Sequence, residues 1–151
     1  MDIIQERMND YFVKYHLHGL SRALVIHEFE AATFRPDPFP HDHPFGAHVE
    51  VIDGAYTEEV YNLAYPGQPP ERFIRARGDR FFNPADKVHR IVELHGGNAV
   101  TLFAPKPHEK TSGEYLFRDG RVYHRFWMEA REKPDVFYPW PRNGFEGEVR
   151  L

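Results

Sequence analysis

Cysteine is missing altogether from the 151 residues, which excludes disulfide frameworks, thiolate-held zinc, iron–sulfur clusters and cysteine nucleophiles. Any bound metal must be held by nitrogen and oxygen. Long apolar runs are missing too: no stretch approaches the roughly 20 residues that a bilayer-spanning helix needs. The first ten residues, MDIIQERMND, have neither the basic start nor the apolar core of a secretory leader. A soluble, cytoplasmic protein is the expectation. Basic charge is also in deficit, with 19 Lys and Arg against 23 Asp and Glu and a net charge of −4. That balance argues against a nucleic-acid partner, because neutralising phosphates requires a basic face. The arginine-rich run RFIRARGDR at 72–80 is the local exception and reads as the solvated face of a strand and its turn. A P-loop, a GxGxxG loop, HExxH and GxSxG are all absent, so nucleotide binding and the common hydrolase chemistries find no support.

What the chain does have is length enough for one domain with its own core. Over residues 1–18, Ile3, Ile4, Met8, Tyr11, Phe12 and Tyr15 recur at helical spacing and Gly19 follows as a stop, which predicts an N-terminal amphipathic helix. From 23 to 130 the pattern becomes one of short apolar or alternating runs: ALVIHEFEA, HVEVID, AYTEEVYNLAY, RFIRA, KVHRIVEL, AVTLFAP, GEYLFR and VYHRFWME. Seven or eight strands punctuated by Gly, Pro, Asp and Asn predict an all-β antiparallel sandwich or barrel. Asp53-Gly54, Gly96-Gly97 and Asp119-Gly120 stand between apolar runs as hairpin signals. Residues 131–151 carry prolines and aromatics without a period, which predicts an irregular tail. Its Phe137, Tyr138, Trp140 and Phe145 are expected either to anchor a homodimer or to close a lid over the site.

Ten histidines are many for this length. His41 and His43 are two apart on an extended segment, so both rings point to one side. His89 lies in a second extended run and is positioned to face them. Three neutral imidazoles suit iron(II), zinc, copper, nickel or manganese and leave positions open. Tyr115 and His124 are candidate catalytic or packed residues in the late strands. Arg75 and Arg77 are candidates for pairing a substrate carboxylate bidentately. His95, beside Gly96-Gly97, reads as a turn residue.

The run Gly78, five residues, Pro84, Ala85, Asp86, two residues, His89, three residues, Glu93 resembles the second motif of the cupin superfamily, G-x5-P-x-G-x2-H-x3-N, with Asp86 for the second Gly and Glu93 for the Asn. His41-Asp42-His43 and Gly54 match its first motif, G-x5-H-x-H-x3,4-E-x6-G, but Arg35 replaces the first Gly and Ala47 or His48 replaces the Glu. The stretch HDHPFG is similar to the HDHPW-type motif of small bacterial and phage cupins. The resemblance spans about residues 23–127. It implies a double-stranded β-helix, or jelly-roll barrel, with one divalent metal on His41, His43 and His89. His48 is a possible fourth ligand in the glutamate's place or an outward strand residue, and Glu50 shares its parity. A three-His site without Glu also resembles the thiol dioxygenases. The implied activity is an iron(II) dioxygenase, an oxidoreductase on a small carboxylate or amphoteric substrate. A metal-assisted isomerase, epimerase or lyase, or a binding protein without turnover, are the alternatives.

Overall fold

The computed structural model describes residues 1–142 and 147–151. In chain order its strands are β1 (Asp2–Arg7), β2 (Phe12–His18), β3 (Leu24–Phe29), β4 (Ala47–Tyr61), β5 (Glu71–Ala76), β6 (Arg80–Asn83), β7 (Val88–Pro105), β8 (Gly113–Arg118) and β9 (Arg121–Phe126). Then follow the short helix α1 (Trp127–Glu132) and strands β10 (Val136–Pro139) and β11 (Val149–Arg150). One sheet runs β1-β2-β3-β7-β4-β5 with β6 also on β4, and a second runs β11-β10-β9-β8. All of these pairs are antiparallel, as expected. His41 bridges to His89 on one side and to Glu114 on the other, and so joins the two sheets. No helix among the described residues is long and apolar enough to cross a membrane.

The frame is the pairing of β4 with β7, strands of 15 and 18 residues. Asp53 faces Val100 and Ala55 faces His95, so Gly54 alone stands opposite residues 96–99. This bulge bends both strands. On one side of the bend β6 and β3 extend the sheet; on the other β5 does. Both halves of each long strand line the same cavity, with Val49, Glu58, His89 and Phe103 among the wall residues. The dipeptides 53–54 and 96–97 therefore sit inside long strands, and only Asp119-Gly120 makes a two-residue hairpin, with φ of 52° and 73°. Gly54 has φ of 74°, and a Cβ there would lie 2.2 Å from the Asn98 carbonyl oxygen.

The predicted N-terminal helix is a hairpin of β1 and β2, paired from Asp2↔His18 to Arg7↔Val13. Its residues are the β-branched and aromatic types that suit a pleated surface, and their helical spacing is incidental. Asn9 makes the turn, its side-chain oxygen accepting the Tyr11 N–H at 2.9 Å. A helix would have buried its apolar stripe, whereas Ile3 and Ile4 are exposed and Tyr11 and Val13 are buried. The expected irregular tail also contains structure. β10 pairs with β9 and β11 with β10. Phe137 is fully buried between Phe39 and the Arg125 guanidinium, and Trp140 packs on His124 and Tyr115. Val136–Pro139 thus belong to the barrel's own wall, and none of the described tail residues lines the cavity. Phe145 lies outside the described residues.

Candidate metal centre

Pro36, Pro38, Pro40 and Pro44 keep the segment before β4 extended. Within it His41 exchanges two backbone hydrogen bonds with His89, each 2.9 Å. Alternation then turns Asp42 away from the two histidines. The Asp42 carboxylate is buried and accepts the Gly113 N–H at 2.9 Å, the Tyr115 hydroxyl at 2.9 Å and the Lys110 ammonium at 2.6 Å. This triple anchor holds the segment from behind. His41 and His43 face the cavity from its front.

The three rings converge. Their centroids are 5.0 Å apart for His41 and His43, 5.0 Å for His41 and His89, and 5.3 Å for His43 and His89. One ring nitrogen of each lies within 4.8 Å of the others, and the Nε2 atoms of His43 and His89 are 3.1 Å apart. Metal–nitrogen bonds of about 2.0–2.1 Å place neighbouring ligand nitrogens about 2.9–3.4 Å apart, depending on geometry. The donor set fits a divalent transition metal on this count.

It fits on protonation as well. Burial, followed by the charge of His89, pushes His41 down to about 3. Burial, followed by the charges of His41 and His89, holds His43 well below the usual imidazole range. Both rings are therefore neutral, as metal binding demands. For His89 the tautomer is set by Glu58 of β4, whose Oε2 accepts the Nδ1–H at 2.5 Å and leaves the Nε2 lone pair directed at the cluster. Glu58 is itself 2% exposed. Its Oε1 takes two bonds from Arg75 and one from the Lys87 ammonium, all 3.1 Å. Burial works to raise the Glu58 carboxyl, but the His89 hydrogen bond and the charge and hydrogen bond of Lys87 hold it down.

The other expected site residues fall elsewhere. His48 is on the outer face of β4, exposed and packed on Phe82 at 4.9 Å, and Glu50 beside it pairs with Arg80. Ala47 and Val49 are the inward residues, and neither carries a ligating atom. Arg75 is committed to Glu58 and stacks on Phe81 at 4.0 Å, and Arg77 is exposed in the turn before β6. Neither lines the cavity. Tyr115 supports Asp42 from behind the ligand segment. His124 is 1% exposed between Tyr115 and Trp140, with Nδ1 lacking a partner among the described residues. His95 meets Thr57 at 2.7 Å within the sheet rather than in a turn. Glu58 and Asp42 escaped the sequence reading. For Glu58 the available signal was Thr57-Glu58-Glu59, three consecutive polar residues that break the alternation of their strand, all of them buried.

The cavity in front of the triad has a volume of about 120 Å³. Phe12, Phe29, Phe34, Ile91 and Phe103 form its apolar wall, with Lys14, Asp37 and Tyr56 as polar members.

No protein-family profile and no curated protein sequence matches the chain. Solved structures do. A cupin 2 conserved barrel domain protein from Rhodopseudomonas palustris superposes with a TM-score of 0.52 at 13% identity, covering 74% of each chain. The chain has the cupin fold. Hydroxypropylphosphonic acid epoxidase from S. wedmorenis aligns at a TM-score of 0.54 and 15% identity, over 70% of this chain and 56% of the epoxidase. CapF, solved with the inhibitor 3-isopropenyl-tropolone, aligns at 0.54 and 9% identity, over 69% of this chain and 30% of CapF. The chain thus spans just over half of the epoxidase and about a third of CapF. At such identities the likeness establishes the fold and nothing of the chemistry.

Proposed function

We propose that this cupin is a metal-dependent enzyme, with iron(II) the metal on His41, His43 and His89, that oxidises a small carboxylate or amphoteric substrate with dioxygen. The observation that carries the reading is the triad of convergent imidazoles, two of them held neutral by burial, opening onto a cavity of about 120 Å³. Iron is proposed over zinc, nickel, manganese or copper because oxidation by dioxygen calls for a redox-active metal that three imidazoles hold well, and one structural neighbour, HppE, has been solved in its Fe(II) form. When bound, the metal supplies a redox-capable Lewis acid with coordination positions left open. The protein supplies the rest. Glu58 fixes the His89 tautomer, and Arg75 with Lys87 holds Glu58 ionised in a buried place. Asp42 pins the backbone between the other two ligands. The aromatic wall keeps bulk water from the reacting end of the substrate.

Metal analysis of protein purified without chelating resin tests the first half. His41→Ala, His43→Ala and His89→Ala should each lose stoichiometric metal and keep the barrel's circular dichroism; near-full metal in any of them removes that residue from the ligand set. Oxygen uptake dependent on added iron(II) tests the second half. Proton exchange at a substrate carbon without oxygen uptake would move the reading to an isomerase or lyase, with Asp37 the carboxylate on the cavity wall that no lysine or arginine among the described residues pairs.

A further inference from the structure

The substrate-binding role assigned to arginines by the sequence has no occupant at Arg75 or Arg77, yet the cavity does hold one ammonium. Lys14 lies on β2 opposite His27 of β3 and lines the same cavity as the triad. It is the one lysine or arginine among the described lining residues. The other buried cations near the site are committed: Lys87 and Arg75 to Glu58, Arg90 to Glu59, Lys110 to Asp42. Lys14 makes no ion pair or hydrogen bond among the described residues, and its ammonium lies 5.7 Å from the centre of the Phe12 ring. The carboxylate nearest it in charge is Glu6, its cross-strand partner on the exposed edge strand, which is bonded to His16 instead. A half-buried ammonium facing a cavity with no ion pair of its own is a receptor for an anion.

The carboxylates of the wall do not cancel it. Glu58 is neutralised by Lys87 and Arg75. Asp37 accepts the Tyr11 hydroxyl at 2.5 Å and lies 4.0 Å from Nδ1 of His41, so it sits beside the triad rather than on Lys14. Tyr56 and His27, the remaining titratable residues of the wall, are neutral, since burial raises the phenol and brings the imidazole down to about 3. With a divalent ion on the triad, the polar end of the cavity carries a net positive charge. The body of the cavity is apolar: Phe12, Phe29, Phe34, Ile91, Phe103 and Val49. Its volume of about 120 Å³ is a little below the roughly 150 Å³ cavity that holds benzene in another protein.

Resting on the metal reading above, we propose that the ligand of this site is a ring-sized apolar monocarboxylate, its ring against the phenylalanine wall and its carboxylate between the metal triad and the Lys14 ammonium. Sugars and nucleotides are disfavoured by the apolar wall, and neutral analogues of the ligand's shape by the ammonium they leave unmatched.

Calorimetric titration of the zinc-loaded and the metal-free protein with benzoate, benzamide and acetate tests this, zinc being redox-inert. Benzoate should bind about tenfold or more tightly than either control. Lys14→Met should remove that preference while leaving benzamide unchanged, and Lys14→Arg should retain most of it. Equal affinity for benzoate and benzamide in the wild type overturns the proposal, as does a preference that survives Lys14→Met. If Lys14→Met fails to fold by circular dichroism, the wild-type comparison and Lys14→Gln decide. Failure of the protein to take up zinc counts against the metal reading alone, because the metal-free titration still reads the benzoate preference and its dependence on Lys14.

Discussion

Glu58 does for His89 what the ligand cannot do alone: it fixes which nitrogen carries the proton. Glu58→Gln should lower metal affinity about 10–100-fold, the usual effect of losing such a partner. It also strands Lys87 and Arg75 without their anion, so a destabilisation of about 3–5 kcal/mol is expected in urea melts. Competition with a chelator checks the first effect; unchanged affinity would reduce Glu58 to a packing role. His48→Ala, on the outer face, should leave metal content and stability within error of wild type. The difference in legibility between these residues is physical. His41 and His43 were readable because alternation along one extended segment puts both rings on one side, and His89 because motif spacing marked it. Glu58 acts through strand register, with Val60 opposite His89 and Glu58 opposite Ile91, and register is invisible in a single sequence. Arg75 was misassigned for the same reason: its target was an acid on the neighbouring strand.

Strands were legible as apolar runs, but their ends were not. HVEVID and AYTEEVY read as two strands and are one, β4; KVHRIVEL and AVTLFAP are likewise one, β7. Asp-Gly and Gly-Gly supply positive φ to a bulge as readily as to a hairpin, so composition could not separate the two. Gly54→Ala distinguishes them by energy. At a free hairpin such as Gly120, where a Cβ would meet nothing within 4 Å, alanine should cost about 1 kcal/mol for its backbone conformation. At Gly54 the Asn98 carbonyl must also move, so the loss should be clearly larger. Equal losses in paired denaturant melts would mean that the bulge relaxes freely. The N-terminal misreading has another source: apolar residues at 3, 4, 8, 11, 12 and 15 satisfy the helical template, and only the β-branched and aromatic types, with Asn9-Asp10 between them, argue for a hairpin.

At the scale of the molecule, the all-β barrel was legible because alternation and turn residues recur along most of the chain, while the cavity, assembled from β2, β3, β4 and β7, was not. Its buried imidazoles should govern the acid response of the metal-free protein. Burial lowers His27 and His41 to about 3 and His124 to about 4, from 6.5. Below pH 6.5 the unfolded chain binds protons that the native state refuses, so stability present at neutral pH is lost as pH falls toward these values. The loss is up to about 1.4 kcal/mol per pH unit for each such group. The melting temperature should hold between pH 8 and 7 and decline steadily below 6.5; a flat profile from 7 to 5 would show that the rings protonate in the folded state. The placement of β2 has a consequence for motion. The strand that carries Phe12 and Lys14 is covered on its outer side by β1 alone, all six of whose residues are exposed, whereas His89 and Glu58 lie on strands paired on both sides. Local opening free energies should therefore rise from the edge inward. In deuterium exchange, β1 and then β2 should label first and β4 and β7 last, so that the cavity breathes through its ligand-facing hairpin while the histidines stay in place.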